Sequence, residues 1–450
     1  MYNPEKLSFC LPLLLSVLLV GCGGSSDSSD SSSANVSYLQ FYNASANSSS
    51  ATLLLQSSSL NTISYNDAST SYNIESTSLV EVSGPNSAGT TTTLFSQTLN
   101  SDVDDRHFLV MTGDYTAPEF VDFVYQDSEL ESGEMTVFAS HFAYYSAEQS
   151  YDIYLGQADG SFETAQMIDS VNYKTISAAN ILSTDNYLVY LTEPGQSTPI
   201  FTSTEIPLTS ETSYILAIKD TFGPGEVNLA VDVITHFTTV SQYSDDTADA
   251  EFRVFNGLPD NQVIDVSASS SVTEINSNDV QPNQTSEFYQ VGFDDYGFIV
   301  TADSGETLLN NLLISLAQDD SSTVLIYQNE VGEVQGMSYQ QDKRPRAFES
   351  QVTLANLSFG YDEVEVYFLR PGETIDTAEY KIENLIFEEI NSIDLPTDDY
   401  EVVVVNQDAN GTLTLVYQSQ LMNVNNDSGY SMVLSNDSNA ALGHRLAVLP

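Results

Sequence analysis

The chain has no tryptophan, two cysteines and eleven lysines and arginines in 450 residues. Both cysteines, Cys10 and Cys22, precede the first foldable segment, so no disulfide can staple the body of the protein. Positive charge is as scarce: 63 acidic residues leave a formal net charge of -52. Such a surface repels phosphate backbones and anionic lipid, which excludes nucleic acid as a partner and electrostatic docking on a membrane. It also keeps a protein dissolved in a salty medium, where screening softens its self-repulsion. No apolar run reaches the ~20 residues a membrane-spanning helix needs. Glycine-rich phosphate loops and histidine-cysteine zinc spacings are both missing.

What is present begins at the N-terminus. Residues 7–20 are apolar but short and interrupted by Pro12, with Lys6 ahead and small residues behind. This is the form of a secretory signal segment. Leu19-Val20-Gly21-Cys22 resembles a bacterial lipobox, where cleavage precedes a cysteine that carries lipid. The resemblance implies a signal peptide at 1–21 and lipid attachment at Cys22. Two or more acyl chains anchor a protein stably at ~0.8 kcal/mol per buried methylene, whereas one holds it marginally. Residues 23–35 are Gly, Ser and Asp with one Ala and one Asn, a composition that cannot bury a core. They form a tether with an r.m.s. reach of roughly 20 Å. Gly23, rather than Asp, after the cysteine favours the outer membrane, with the protein facing periplasm or cell surface.

From residue 36 onward, short alternating runs of Val, Ile, Thr, Tyr and Phe are divided by Gly, Asn, Asp, Ser and Pro clusters, which predicts strands and turns. One pattern comes round four times: an apolar run ending at a polar turn-former, at Asn43, His141, Asn256 and Asn356. A second strand follows at Ala51, Tyr151, Val263 and Val364, and a third at Leu79, Tyr187, Tyr296 and Tyr400. A strand–turn–strand run and a closing strand complete each unit. The repeat of about 100 residues, with seven expected strands, predicts an all-β chain of four tandem immunoglobulin-like β-sandwiches. The expected boundaries are 36–130, 134–240, 250–342 and 350–450. Segments 129–133, 241–249 and 341–350 are the linkers. The last holds Lys343, Arg344 and Arg346, and it is either a solvated hinge or a docking point for an acidic neighbour.

The run from Asn256 to Val266, "NGLPDNQVIDV", resembles repeats of a bacterial domain of unknown function, number 4397. Asn43-Ala44-Ser45 and Asn356 with Glu365-Val366-Tyr367 keep parts of the same pattern, while His141 departs from it and Pro259 alone keeps the proline. The resemblance implies an exported or surface-associated protein and assigns no catalytic residue.

Chemistry-bearing candidates are few. His107, His141, His236 and His444 fall in four different repeats, and no Gly-x-Ser-x-Gly elbow occurs. Calcium would need clustered oxygens, for which Asp102, Asp104 and Asp105, or Asp245, Asp246 and Asp249, are the candidates, but solvated acidic turns are the reading preferred for them. Asn423, Asn425 and Asp427 begin like a calcium loop, but Ser428 and Leu434 occupy positions that need Gly and Glu. Tyr144 and Tyr145 offer a stacking platform for sugars. The sequence therefore predicts a non-enzymatic envelope lipoprotein acting as a structural, adhesive or binding module. No catalytic, cofactor-binding or metal residue is assigned. The partners expected are the membrane, through the lipid, and a protein or glycan ligand. The alternative is a carbohydrate-binding accessory protein using loop-end aromatics.

Overall fold

Alternating apolar residues fold into paired strands wherever both faces of a sheet can be covered, and in this chain they build eight small sheets. The computed structural model describes residues 36–237, 240–259, 262–425 and 429–449. Cys10, Cys22 and the tether lie outside the described residues.

The first unit shows the plan. Its strands are β1 (Ser37–Asn43), β2 (Ala51–Leu55), β3 (Ser58–Ile63), β4 (Tyr72–Ile74), β5 (Thr77–Pro85), β6 (Thr91–Asn100), β7 (Arg106–Thr112) and β8 (Glu119–Tyr125). One sheet runs in the order β4-β1-β7-β8 and the other β3-β2-β5-β6. All neighbours are antiparallel except β1 and β7, which are parallel from Tyr38↔Arg106 to Asn43↔Met111. The same parallel pair recurs between Glu134–His141 and Ser213–Asp220, Ala250–Asn256 and Ser321–Gln328, and Glu349–Leu357 and Tyr430–Asn436. The protein is thus built of immunoglobulin-like two-sheet sandwiches, and the eight sheets fall in four successive pairs. The first unit has eight strands where seven were expected; its extra strand is the short β4, and three residues are too few to show a period.

Each sandwich buries alternate residues of its strands. In the first unit Leu39, Phe41, Leu53, Val80, Val82, Leu109 and Met111 form the layer between the sheets. The opposite face of β1 is buried as well. Tyr42, Phe108 and Val110 pack against Phe138, Phe142, Ile215, Ala217 and Ile234 of the second unit. Gln40 on that face donates to the carbonyls of Ser69 at 3.0 Å and Thr235 at 2.7 Å. Phe255, Leu325 and Tyr327 meet Ala355, Leu357, Val433 and Leu449 in the same way between the third and fourth units. The sheets carrying the parallel strands therefore stack back to back, first on second and third on fourth.

The segment read as the second linker contains a strand, Val240–Ser244, which adds to the edge of the second unit's sheet. Segment 341–350 is not a solvated hinge. The Arg344 side chain is 11% exposed, and its guanidinium donates to the carbonyls of Ala46 at 3.2 Å and Ser48 at 2.7 Å in the first unit. Ala347 N–H donates to the Asn47 carbonyl at 2.9 Å, and Phe348 sits edge-on to Tyr115. This short segment joins the two stacked pairs.

Removing one partner of a charged hydrogen bond leaves buried acceptors without donors, so Arg344→Ala should lower stability by about 2–3 kcal/mol. The measurement is the denaturant midpoint, with trypsin cleavage after Lys343 and Arg346 as a local reporter. An unchanged midpoint together with unchanged cleavage would show that Arg344 does not hold the pairs together.

Candidate functional site

Where the four units meet, they leave a cleft of about 570 Å³. Its walls include Tyr65 from the first unit, Lys219, Asp220 and Phe222 from the second, Asp319 and Tyr339 from the third, and Gln351 and Asp394 from the fourth, with segment 341–346 along one side. The volume suits a small polar ligand.

Its charges are already engaged. Lys219 and Asp232 are buried 3.3 Å apart, where Lys219 Nζ also donates to Gln242 Oε1 at 2.6 Å and Tyr42 Oη–H donates to Asp232 Oδ2 at 2.7 Å. Burial lowers the lysine's pKa and raises the aspartate's, and the pair's mutual attraction opposes both shifts. Arg346 bridges Asp342 at 2.9 Å and Asp394 at 3.0 Å. Asp220 accepts from the backbone N–H of Tyr144 at 2.7 Å and of Tyr145 at 3.2 Å, and burial pushes its carboxyl up to about 6. With its cations paired, the cleft offers hydroxyls, amides and aromatic edges rather than a free positive charge.

Beside it stands an aromatic group. The Tyr144 and Tyr145 rings lie edge to face at 5.4 Å, and Tyr145 meets the cleft residue Phe222 at 5.8 Å. Tyr145 is 57% exposed. The structure thus places the two tyrosines singled out in the sequence beside this cleft, through the Tyr145–Phe222 contact.

The histidines do not converge. His236 donates to Asp127 at 3.3 Å beside Arg106 at 2.6 Å, and these hydrogen bonds hold the Asp127 carboxyl down at about 2. His444 contacts the Leu442 carbonyl. His141 fills the role that asparagine plays in the other units. Asn43, Asn256 and Asn356 each accept from the N–H two residues on, and each donates to the last carbonyl of the third strand, at Ile63, Val280 and Leu385. His141 Nδ1 accepts from Ala143 N–H at 3.3 Å, and Nε2 faces the Ser146 carbonyl at 3.3 Å. That pattern requires a neutral ring.

One array escaped sequence reasoning. Ser101 Oγ lies 2.8 Å from His107 Nε2, and His107 Nδ1 lies 2.8 Å from Asp122 Oδ2. The three are ordinary residues at uninformative spacings, so no sequence signal announces them. None lines the cleft. In the second and fourth units the equivalents of His107 are Tyr214 and Tyr430, whose hydroxyls accept from loop N–H groups of Ser210 and Asn425 at 3.0 Å, and in the third unit the position is Ser322. The array accordingly anchors the loop between β6 and β7.

The acidic candidates hold neighbouring segments, one within its own turn and two across the chain. Asp105 accepts from Asp102 N–H at 2.8 Å, Asp245 from Thr202 N–H at 3.0 Å, and Asp249 from Gln290 at 3.1 Å. Asn423 donates to Asp399 at 2.9 Å, and Asp427 and Ser428 lie outside the described residues. Among the described residues no three acidic or histidine side chains converge on a common point.

No family model and no curated protein matches the chain. Among solved structures, the Bacillus anthracis TIE protein aligns at 8% identity and a TM-score of 0.16, over 86% of this chain and 65% of that one. The chain thus spans just under two thirds of that structure. BcpA, the major pilin subunit of Bacillus cereus, aligns at 10% identity and a TM-score of 0.14, over 68% of this chain and 99% of that one. At these scores neither likeness bears on function.

The His141 geometry generates a pH dependence. Burial holds its pKa near 4, below the ordinary 6.5, so between those values the unfolded chain binds a proton that the folded one refuses. Its contribution is fully present above pH 6.5 and is lost as pH falls toward 4, by about 3 kcal/mol. Asp220, with its raised pKa, works in the opposite sense, favouring the folded state as pH falls through about 6. The readout is therefore the difference between wild type and His141→Asn in denaturant melts at pH 7.5 and 4.5. The asparagine variant should lose less stability on acidification; parallel losses would refute the neutral-ring assignment.

Proposed function

We propose that this chain is a lipid-tethered, non-enzymatic module of the bacterial envelope that binds or supports other envelope components. The supporting observation is the repeated sandwich itself: back-to-back sheets devote their chemistry to holding one unit on the next. The single histidine array anchors a loop, and the charged groups of the cleft are paired. The lipobox-like segment ending at Cys22 and the Gly/Ser/Asp tether supply the anchor and its slack. The short motifs resembling domain of unknown function 4397 agree with an exported protein.

Metabolic labelling with palmitate, alongside detergent partition, tests the anchor. Wild type and Cys10→Ala should carry label, because Cys10 lies in the discarded segment. Cys22→Ala should carry none and should accumulate as precursor or soluble product. Label that persists in Cys22→Ala removes the lipoprotein reading.

A second reading, carbohydrate binding, is favoured by the exposed Tyr145 beside a hydroxyl- and amide-lined cleft. A stacked aromatic of this kind contributes about 1 kcal/mol or more. A glycan array should then show a neutral oligosaccharide retained by wild type and released by Tyr145→Ala. Equal retention by both proteins, or none by wild type, dismisses this reading.

A further inference from the structure

A sheet that ends in a bare strand displays a row of unpaired backbone N–H and C=O groups, ready to pair with another extended chain. In this protein one such edge is already filled from within. The second unit's closing strand, Leu229–Ile234, receives the strand Val240–Ser244 antiparallel to it, from Ala230↔Ser244 to Ile234↔Val240. The registers with the neighbouring strands make β8 its counterpart, since Val110 pairs with Val121 where Ala217 pairs with Asp232. Residues Glu119 to Phe123 of β8 thus stand where Ala230 to Ile234 accept a fifth strand. Among the described residues nothing occupies that place in the first unit. The sheet ends at β8, and among the described residues the β8 backbone makes no hydrogen bond beyond those to β7.

A second feature lies beside this edge. A groove of about 290 Å³ runs along the far end of β8, lined by Phe123, Val124, Tyr125, Phe138, Ile176 and the exposed Ala178. Val124 is 52% exposed. A strand added antiparallel to β8 would enter at the Tyr125 end and present its first side chains to this groove. Backbone pairing would supply affinity, and the groove would supply selectivity.

The geometry points to β8 as a docking edge for an extended segment of a partner protein, with basic residues leading and an apolar side chain following. The charge argument comes from the chain itself. The segment just beyond β8 carries the exposed Glu129 and Glu131, and the whole chain has a net charge of -52. A second copy of the chain is equally acidic and is repelled, whereas a basic leading segment is drawn in. This inference rests on the binding-module reading. It fails separately, because the assay below does not depend on lipid at Cys22.

The test uses the full chain and a synthetic ten-residue peptide that begins with two lysines and a phenylalanine and continues with alternating threonine and valine. Fluorescence anisotropy should show saturable binding. A peptide with glutamates in place of the lysines should bind at least about tenfold more weakly. Ala178→Trp fills the groove from an exposed position and should weaken the lysine peptide by at least about tenfold, whereas Val331→Lys, on an exposed turn of the third unit, should leave it unchanged. Amide hydrogen exchange should slow between Glu119 and Tyr125 when the peptide is added. Absence of saturable binding, protection of Val334–Gln340 instead of β8, or full affinity in Ala178→Trp would each overturn the proposal. Sedimentation showing a stable dimer that excludes the peptide would overturn it in favour of self-pairing.

Discussion

Like-charge repulsion is the constraint this structure has to meet, and several of its few cations sit where units meet. Arg344, from the segment joining the third and fourth units, closes on two carbonyls of the first. Lys174 of the second unit pairs with Glu119 of the first, and Lys343 pairs with Glu251 of the third. Arg445 of the fourth unit reaches Asn283 of the third. The exposed Lys174–Glu119 pair is individually weak. The position of these contacts matters more than their strength, because each cancels negative charge where two acidic bodies approach. Lys219 and Asp232 do the same in the interior, satisfied by Gln242 and Tyr42. A buried pair costs desolvation, so its value lies in fixing how the second unit sits on the first rather than in net stability.

Packing supplies the attraction. Period-two alternation would leave one face of each sheet to water, yet β1 and its counterparts are buried on both faces. Tyr42 and Gln40 look outward from the first sandwich and inward to the first–second interface. Dispersion and apolar burial across these faces give each sandwich a second contact surface, something a body with no cysteine between residues 36 and 450 needs.

Much of the fold was legible because its signals are local. The four turn-formers at Asn43, His141, Asn256 and Asn356 mark the end of the first strand in each unit, or lie one residue before its end, because each bonds the turn beyond it. What the sequence did not disclose is relational. Nothing in "QDKRPRAFES" shows that Arg344 meets residues almost three hundred positions earlier, and the same basic residues would suit a solvated hinge. The Val240–Ser244 strand hides in a segment whose Ser, Gln and Asp content resembles a linker. The Ser101–His107–Asp122 array depends on pairing across strands and has no spacing of its own. Tyr144 and Tyr145 were visible as residues, but their place beside a cleft shared by four units was not.

The contact between Arg344 and the first unit has a consequence in time. The guanidinium bonds to Ala46 and Ser48 across separations of 298 and 296 residues. A chain delivered N-terminus first presents the first unit almost three hundred residues before that partner. Throughout that interval the early sandwich exposes the carbonyls and the tyrosine edge that segment 341–350 later covers. The protein thus passes through a stage with an unfinished surface, which closes when the fourth unit's leading segment reaches the first.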